Sequence, residues 1–445
     1  MILLQYIMET PAIVRVIVAL SVILIVNSLS RQLLLSIACG ALILAFWAGQ
    51  TPSMMLETAQ QSALALNNVL LLLAVCQVIW LSRQMQYAGV MEDLVTSIRQ
   101  KLSKRGAMAM LPALIGFLPM PGGALFSAPM LESCDPENHT GSTLKAMTNH
   151  WFRHVWECWW PMFPGVLLTM ELTGFDIPVM LMLGLPISLA AILSGYLLLL
   201  RRIPDPGRAQ QHPPIHENDA GCLEVLKLLT PILVVVLTYA LIRTGHGIAS
   251  GRLPALPGLN RYLPMNVGLL LAMAVLQAER PQGRSKWKEI ILSRQVLNMA
   301  LIVLAVRIYG AFIEAESPAG YDLIGQMRME LNSWGIPVVA VIMLLPFITG
   351  LATGMAVGYV GASFPIVLSL IGADPTFGEM FSMTLLAYGF GYMGFFLSPV
   401  HVCLVVTCRH FDTPVLKTFA GLLAPALLVL LAVVALSLMW NIVLP

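Results

Sequence analysis

Charge is what this 445-residue sequence has least of: 11% of its residues are Asp, Glu, Lys or Arg, while 58% are hydrophobic and mean hydropathy is +0.81. A soluble surface of this size needs far more charge, so the composition reads as an all-α membrane protein with many spans. The net charge of +2 leaves no basic excess for a nucleic-acid partner. Seven cysteines are scattered at positions 39, 76, 134, 158, 222, 403 and 408 without a CxxC pair, which argues against a disulfide framework or a zinc ribbon. No Asp pair, GxSxG or HExxH lies in an apolar run, so neither an intramembrane enzyme nor a cofactor is indicated. The first apolar run, 13–29, has no basic stretch ahead of it and no small-x-small cleavage site, and reads as a retained span.

Long apolar runs, by contrast, are plentiful. Segments long enough to cross about 30 Å of hydrocarbon fall near 11–29, 32–49, 63–85, 143–170 and 176–202, and again near 223–245, 264–280, 287–312, 376–408 and 413–443. Between the third and fourth members of each set lie an amphipathic stretch and then an apolar segment interrupted by glycine and proline, at 106–134 and 336–372. Each interrupted segment reads as a re-entrant hairpin whose tip must be sheltered by protein or face a watery cavity. Five spans and a hairpin per half make an odd number of crossings, so the second half inserts upside down as an inverted repeat. The expected organisation is a first repeat, 1–202, with scaffold spans 11–85, hairpin 106–134 and transport spans 143–202. A polar linker follows at 203–222, then a second repeat, 223–445, with scaffold spans 223–312, hairpin 336–372 and transport spans 376–443. Lys and Arg collect at 99–105, 201–208, 280–294 and 409–417, all on one expected side, which makes that side cytoplasmic and puts both termini outside.

The interruptions themselves correspond. Gly116-Phe-Leu-Pro-Met-Pro-Gly-Gly-Ala-Leu-Phe-Ser-Ala-Pro-Met130 is echoed about 236 residues later by Gly354-Met-Ala-Val-Gly-Tyr-Val-Gly-Ala-Ser-Phe-Pro-Ile366, matching Gly122 with Gly358, Ser127 with Ser363 and Pro129 with Pro365. Paired interruptions in two halves of a membrane chain point to a transporter's binding site. The expected tip groups are Pro121, Gly122, Gly123 and Ser127 in one half and Thr349, Thr353, Gly358, Gly361 and Ser363 in the other. Helix N-termini at such tips present N–H groups and partial positive charge, which favours an anion.

The fourth span carries Asn149-His-Trp-Phe-Arg-His-Val-Trp-Glu157. On a continuous helix His150, Arg153, His154 and Glu157 share one face within an arc of about 100°. Ionisable groups at membrane depth face a cavity or one another. Either Arg153 and Glu157 neutralise each other at i,i+4, or Arg153 holds an anionic solute while His150, His154 and Glu157 take part in proton coupling. A zinc site on His150, His154 and Glu157 is opposed by the interposed Arg153. The ninth span holds Ala387-Tyr-Gly-Phe-Gly-Tyr-Met-Gly394 and Leu397-Ser-Pro-Val-His401, where unwinding is expected, with Tyr388, Ser398 and His401 as candidate ligands. The alternative is that those glycines only allow close packing, and that His401 is a satisfied core histidine. Trp160-Pro161 and Ser398-Pro399 pair as breaks at an offset of 238. Arg307, in an expected scaffold span, has no evident partner.

Three of these stretches, 118–129, 149–157 and 397–401, resemble the signatures of a prokaryotic integral membrane family known as domain of unknown function 401. The resemblance covers nearly the whole chain and implies a place in the ion transporter superfamily of secondary carriers, which includes gluconate, citrate and dicarboxylate carriers. It further implies a homodimer with a fixed scaffold and a mobile carrier moving as an elevator, and a solute held between two opposed hairpins and two broken helices. Neither tip carries the Ser-Asn-Thr of sodium-coupled dicarboxylate carriers. The expectation is therefore a secondary active transporter of a small organic anion across the cytoplasmic membrane, coupled to H+ or Na+. A channel or passive anion pore is the alternative.

Overall fold

The computed structural model describes residues 10–99, 102–119, 122–204, 222–252, 258–315, 323–372 and 374–444. Pro121, most of the 203–222 linker, and the charged positions Lys101, Arg208, Glu316 and Asp322 lie outside the described residues. The first half runs α1 (Ala12–Ser30), α2 (Leu33–Trp47), α3 (Pro52–Leu64), α4 (Leu66–Tyr87), α5 (Val90–Arg99), α6 (Lys104–Ile115), α7 (Ala124–Glu132), α8 (Ser142–Arg153), α9 (Pro164–Thr173) and α10 (Ile177–Leu198). The second runs α11 (Cys222–Leu228), α12 (Thr230–Arg252), α13 (Leu263–Glu279), α14 (Arg284–Ile291), α15 (Arg294–Glu314), α16 (Leu323–Ser333), α17 (Val338–Thr353), α18 (Ala356–Ile371), α19 (Phe377–Phe396), α20 (Val402–His410) and α21 (Val415–Val443). No strand occurs among the described residues.

Six helices are long and apolar enough to cross a membrane, and a seventh span arises if the bent pair formed by α16 and α17, turned by 111°, is counted as one. By length and composition the chain is a multi-pass membrane protein. The expected second and seventh spans appear as the shorter apolar helices Leu33–Trp47 and Leu263–Glu279. Outward aliphatic side chains on the long helices fit a lipid-facing surface: Leu241 of α12 is 72% exposed and Ile442 of α21 84%.

Local chemistry sets the ends of these helices. The Asp176 carboxylate accepts from Val179 N–H at the start of α10, and Thr376 and Glu379 close a capping box on α19. The Glu330 carboxylate of α16 accepts the backbone N–H groups of Ala12 and Ile13 at 2.8 and 2.9 Å, so a distant acid caps α1.

Packing sorts the helices into recurring partnerships. One group centres on α15, which packs against α2, α3, α4 and α18, with α13 against α4 and α1 against α2. In the other group, α6 packs on α7 and α8, while α17 packs on α18 and α19. The remaining arms cross over: α9 packs on α18, and α20 packs on α7 and α8.

Two expectations need correction. The glycine run of 387–394 does not unwind, since α19 is continuous to Phe396. A Cβ on Gly394 would meet the Phe347 carbonyl, one on Gly391 the Tyr359 ring, and one on Gly389 would lie 2.7 Å from Val433, so these glycines serve close helix approach. The second hairpin turns at Gly354 (φ +63) and Met355, about one helical turn before the expected tip, so Gly358, Gly361 and Ser363 sit inside α18.

Candidate functional site

Four helices begin at one place. α7 starts after Gly122 (φ +75), α9 with Pro164 as its first residue, α18 after the Gly354–Met355 turn, and α20 after His401. Each start follows a chain-breaking element: a left-handed glycine at the two hairpin turns, the Pro161/Pro164 pair, and Pro399. Between them lies a cavity of about 170 Å3. It is lined by Gly122 of the first hairpin, Phe163–Gly165 and His401–Cys403 of the breaks, and Gly354–Val357 of the second hairpin. Leu33, Ile79, Gln295, Met299 and Ile302 of α2, α4 and α15 close the far wall. The opening N–H groups of an α-helix have no partner inside the helix, so four such starts around one cavity present donors and partial positive charge.

Close backbone approach holds this geometry. A Cβ on Gly165 would lie 2.7 Å from the Cβ of Ala356, and one on Gly354 3.0 Å from the backbone N of His401. The Arg153 guanidinium lies over Gly123, where a Cβ would strike it, and Gly116 lets the first hairpin rest on the Arg153 carbonyl.

A polar chain runs along one side of the cavity. Arg153 Nη1 donates to Cys403 Sγ at 2.9 Å and stands 3.4 Å from His154 Nε2. His154 Nδ1 meets Glu157 Oε1 at 2.7 Å, and its Nε2 meets His401 Nε2 at 3.2 Å. His401 Nδ1 lies 2.8 Å from the Gly354 carbonyl, so the second break is tied to the second hairpin. Tyr392 Oη donates to the His154 carbonyl at 2.8 Å. His150 stands behind, with Nε2 2.9 Å from the Phe396 carbonyl.

Of the expected site residues, Gly122, Arg153, His154, Glu157 and His401 line the cavity together. Gly123 lies directly beneath the guanidinium. The other described ones do not line it. Ser127 is buried in α7, and Asn149 donates to Thr407 at 2.9 Å. The Thr353 and Ser363 hydroxyls donate back to the carbonyls of Thr349 and Tyr359 in their own helices. A Cβ on Gly358 would meet Thr353 and one on Gly361 would meet Val306; Tyr388 is buried against Tyr359, and Ser398 Oγ donates to the Leu351 carbonyl at 2.6 Å.

The helical-face expectation for Glu157 also changes. α8 ends at Arg153, the segment 154–163 is unwound, and Glu157 reaches the imidazole of His154 through that turn. Reasoning from sequence missed Phe163–Gly165, Cys403 and the α15 wall. The repeated prolines at 161 and 164 signalled the first of these as a helix start; Cys403 and the wall carry no local signal.

His150, His154 and His401 hold ring nitrogens within 4.8 Å of one another, a grouping with metal-binding reach. The guanidinium 3.4 Å from His154 Nε2 and the surrounding helix N-termini oppose a cation there.

Against known families, the one described as Protein of unknown function (DUF401) matches residues 13–245 and 254–440. The chain belongs to the DUF401 family. No curated protein matches it. In this DUF401 chain the three stretches carrying the resemblance, 118–129, 149–157 and 397–401, all reach the cavity or its immediate backing.

Proposed function

We propose that this chain is a secondary active transporter that moves a small, carboxylate-like organic anion across the cytoplasmic membrane, coupled to protons or sodium. The observation that carries this reading is the convergence of four helix starts and Arg153 on one cavity between the two hairpins and the two breaks. N-terminal dipoles with a guanidinium suit an anion, and discontinuous helices meeting mid-chain are how carriers build solute sites. The crossed packing of α9 on α18 and α20 on α7 supports two inverted repeats, each of five spans and a hairpin. In this reading hairpins and broken helices form the moving carrier, and the group around α15 forms the scaffold of a homodimer past which the carrier slides as an elevator. That is the mode expected of the ion transporter superfamily. Both termini then face the outside.

The charged and imidazole groups that line the cavity lie on the carrier side, while the described part of the scaffold wall offers Leu33, Ile79, Met299 and Ile302, with Gln295 as its one polar side chain. This favours an anion with one charged end and an apolar body.

The test is a thermal-shift screen of purified protein against carboxylates, sugar acids, phosphonates and amino acids, followed by counterflow in proteoliposomes with any hit. A stabilising carboxylate should lose its effect in Arg153→Ala while that variant keeps its helical circular dichroism. An equal shift in both proteins removes Arg153 from the site. Single-channel current in place of saturable counterflow replaces the carrier with a pore.

A further inference from the structure

The Gly354 carbonyl only accepts hydrogen bonds, so the His401 Nδ1 2.8 Å from it carries a hydrogen. The other nitrogen of that ring, Nε2, stands 3.2 Å from His154 Nε2. Arg153 Nη1, 3.4 Å from His154 Nε2, can only donate, so that ring nitrogen is an acceptor. Two lone pairs at 3.2 Å repel, and a hydrogen bond between the two Nε2 atoms requires one proton, carried by His401. His154 Nδ1 and Glu157 Oε1, 2.7 Å apart, require one more, on the ring or on the carboxyl. Three contacts therefore need three protons. Two neutral imidazoles and an ionised carboxylate supply only two.

We propose that the Glu157–His154–His401 chain is a proton-binding site that holds a single additional proton shared along its length, and that this proton is the coupling ion. Its role in coupling rests on the transporter reading above; its existence as a proton site does not.

With the proton bound, the chain has no net charge, which suits groups enclosed at membrane depth. Without it, the chain carries one negative charge and two opposed ring lone pairs. The groups facing His154 fit this count. Arg153 and His150 come from α8, Glu157 from the unwound turn, Tyr392 from α19, His401 from the second break and Cys403 from α20. Arg153 supplies positive charge that weakens proton binding. A solute anion placed against that guanidinium offsets the charge, so anion and proton each strengthen the other's binding, as symport requires. His150 stays outside the chain: its Nε2 faces the Phe396 carbonyl and its Nδ1 has no partner. Because the shared proton joins His154, His401 and through it Gly354, it ties both breaks to the turn of the second hairpin. Losing it loosens that turn.

The experiment is magic-angle-spinning NMR of the full chain in liposomes with 15N-labelled histidine rings, titrated from about pH 5 to 9. The His154 and His401 rings should together release one proton in a single coupled step. In Glu157→Gln the midpoint should fall by about one pH unit or more, because the chain would then carry a positive charge when protonated. Rings that remain neutral with no exchange of protons across this range would overturn the proposal. So would added Zn2+ shifting all three ring systems of His150, His154 and His401 and abolishing the titration, which would assign a metal site instead. Should the titration appear while the counterflow assay fails, the transport reading falls and the proton site stands.

Discussion

The guanidinium of Arg307 on α15 reaches the carboxylate of Glu171 on α9, with Nη2 and Oε1 3.4 Å apart. Glu171 also accepts from Tyr262 Oη at 2.6 Å, and Arg307 Nε donates to Asn68 Oδ1 at 2.8 Å. Arg261 adds a donation to the Met170 carbonyl at 2.7 Å. These contacts join α4, α13 and α15 to α9, so they cross the boundary between the proposed scaffold and carrier. Replacing Glu171 by Gln leaves the Arg307 charge enclosed with a weaker partner. Breaking a buried pair costs about 3–5 kcal/mol; with the Arg307 side chain 24% exposed, the expected loss is smaller, about 2 kcal/mol. It reads as a fall in Tm, and adding Arg307→Met should recover part of it. No recovery would show that the two residues are not energetically coupled.

Asp135 is the hub of a second buried cluster, at the base of the first hairpin. Its carboxylate takes Lys104 Nζ at 2.6 Å, Lys145 Nζ at 3.1 Å, and the backbone N–H groups of His139 and Thr140 at 3.1 and 2.8 Å. Burial pushes the carboxyl up, but Lys104, the Thr140 amide and Lys145 together outweigh it and hold the group well below the usual carboxylate range. A folded value below the unfolded one, about 3.9, gives stability that is complete above about pH 4 and is lost as pH falls toward the folded value. Asp135→Asn should therefore be less stable at neutral pH by about 3 kcal/mol. Its Tm should also decline less than that of the wild type on acidification below about pH 4. Equal acid sensitivity in the two proteins would remove Asp135 from the acid response.

Gly394 tests the packing account of the glycine run. An alanine Cβ there would run into the Phe347 backbone carbonyl, which has no rotamer by which to move aside. Gly394→Ala should cost about 1–3 kcal/mol. Gly141, the N-cap of α8, has a φ of −60° and open surroundings that accept a side chain. Ala there should cost no more than the loss expected at an N-cap, about 0.5–1 kcal/mol. Similar Tm values for the two variants would contradict the close-approach role.

The contrast between these sites shows what the sequence made legible. Apolar runs, prolines and glycines act locally, so the helical class and the chain interruptions near Gly122, Pro161 and Pro399 could be read from them. Glycine is ambiguous: the same residue permits unwinding or close approach, and only the neighbouring helix decides. Gly389, Gly391 and Gly394 are open to either reading until α21, α18 and α17 stand beside them. Pairing across long separations was hidden for the same reason. Arg307 finds Glu171, and Lys104 finds Asp135, through folding rather than spacing. Ser363 and Thr353 looked like ligands because hydroxyls in apolar runs need acceptors, yet the carbonyls of their own helices supply them.

The scaffold wall yields the last prediction. For the proposed solute, the described wall residues Leu33, Ile79, Met299 and Ile302 would give its far end no hydrogen-bond partner apart from Gln295. A hydroxyl buried there without a partner costs about 1–3 kcal/mol and an ionised second carboxylate more, or roughly fivefold to hundredfold and beyond in Kd. Hexanoate, adipate and gluconate share a six-carbon chain and differ in what they bring to that wall. Thermal-shift titrations should rank hexanoate first, with adipate and gluconate weaker by at least about tenfold. Gln295→Leu should weaken gluconate further while sparing hexanoate, because it removes the wall's one described polar group. Gluconate binding as tightly as hexanoate would mean that the wall is not where the solute's body rests, and the apolar-body assignment would be withdrawn.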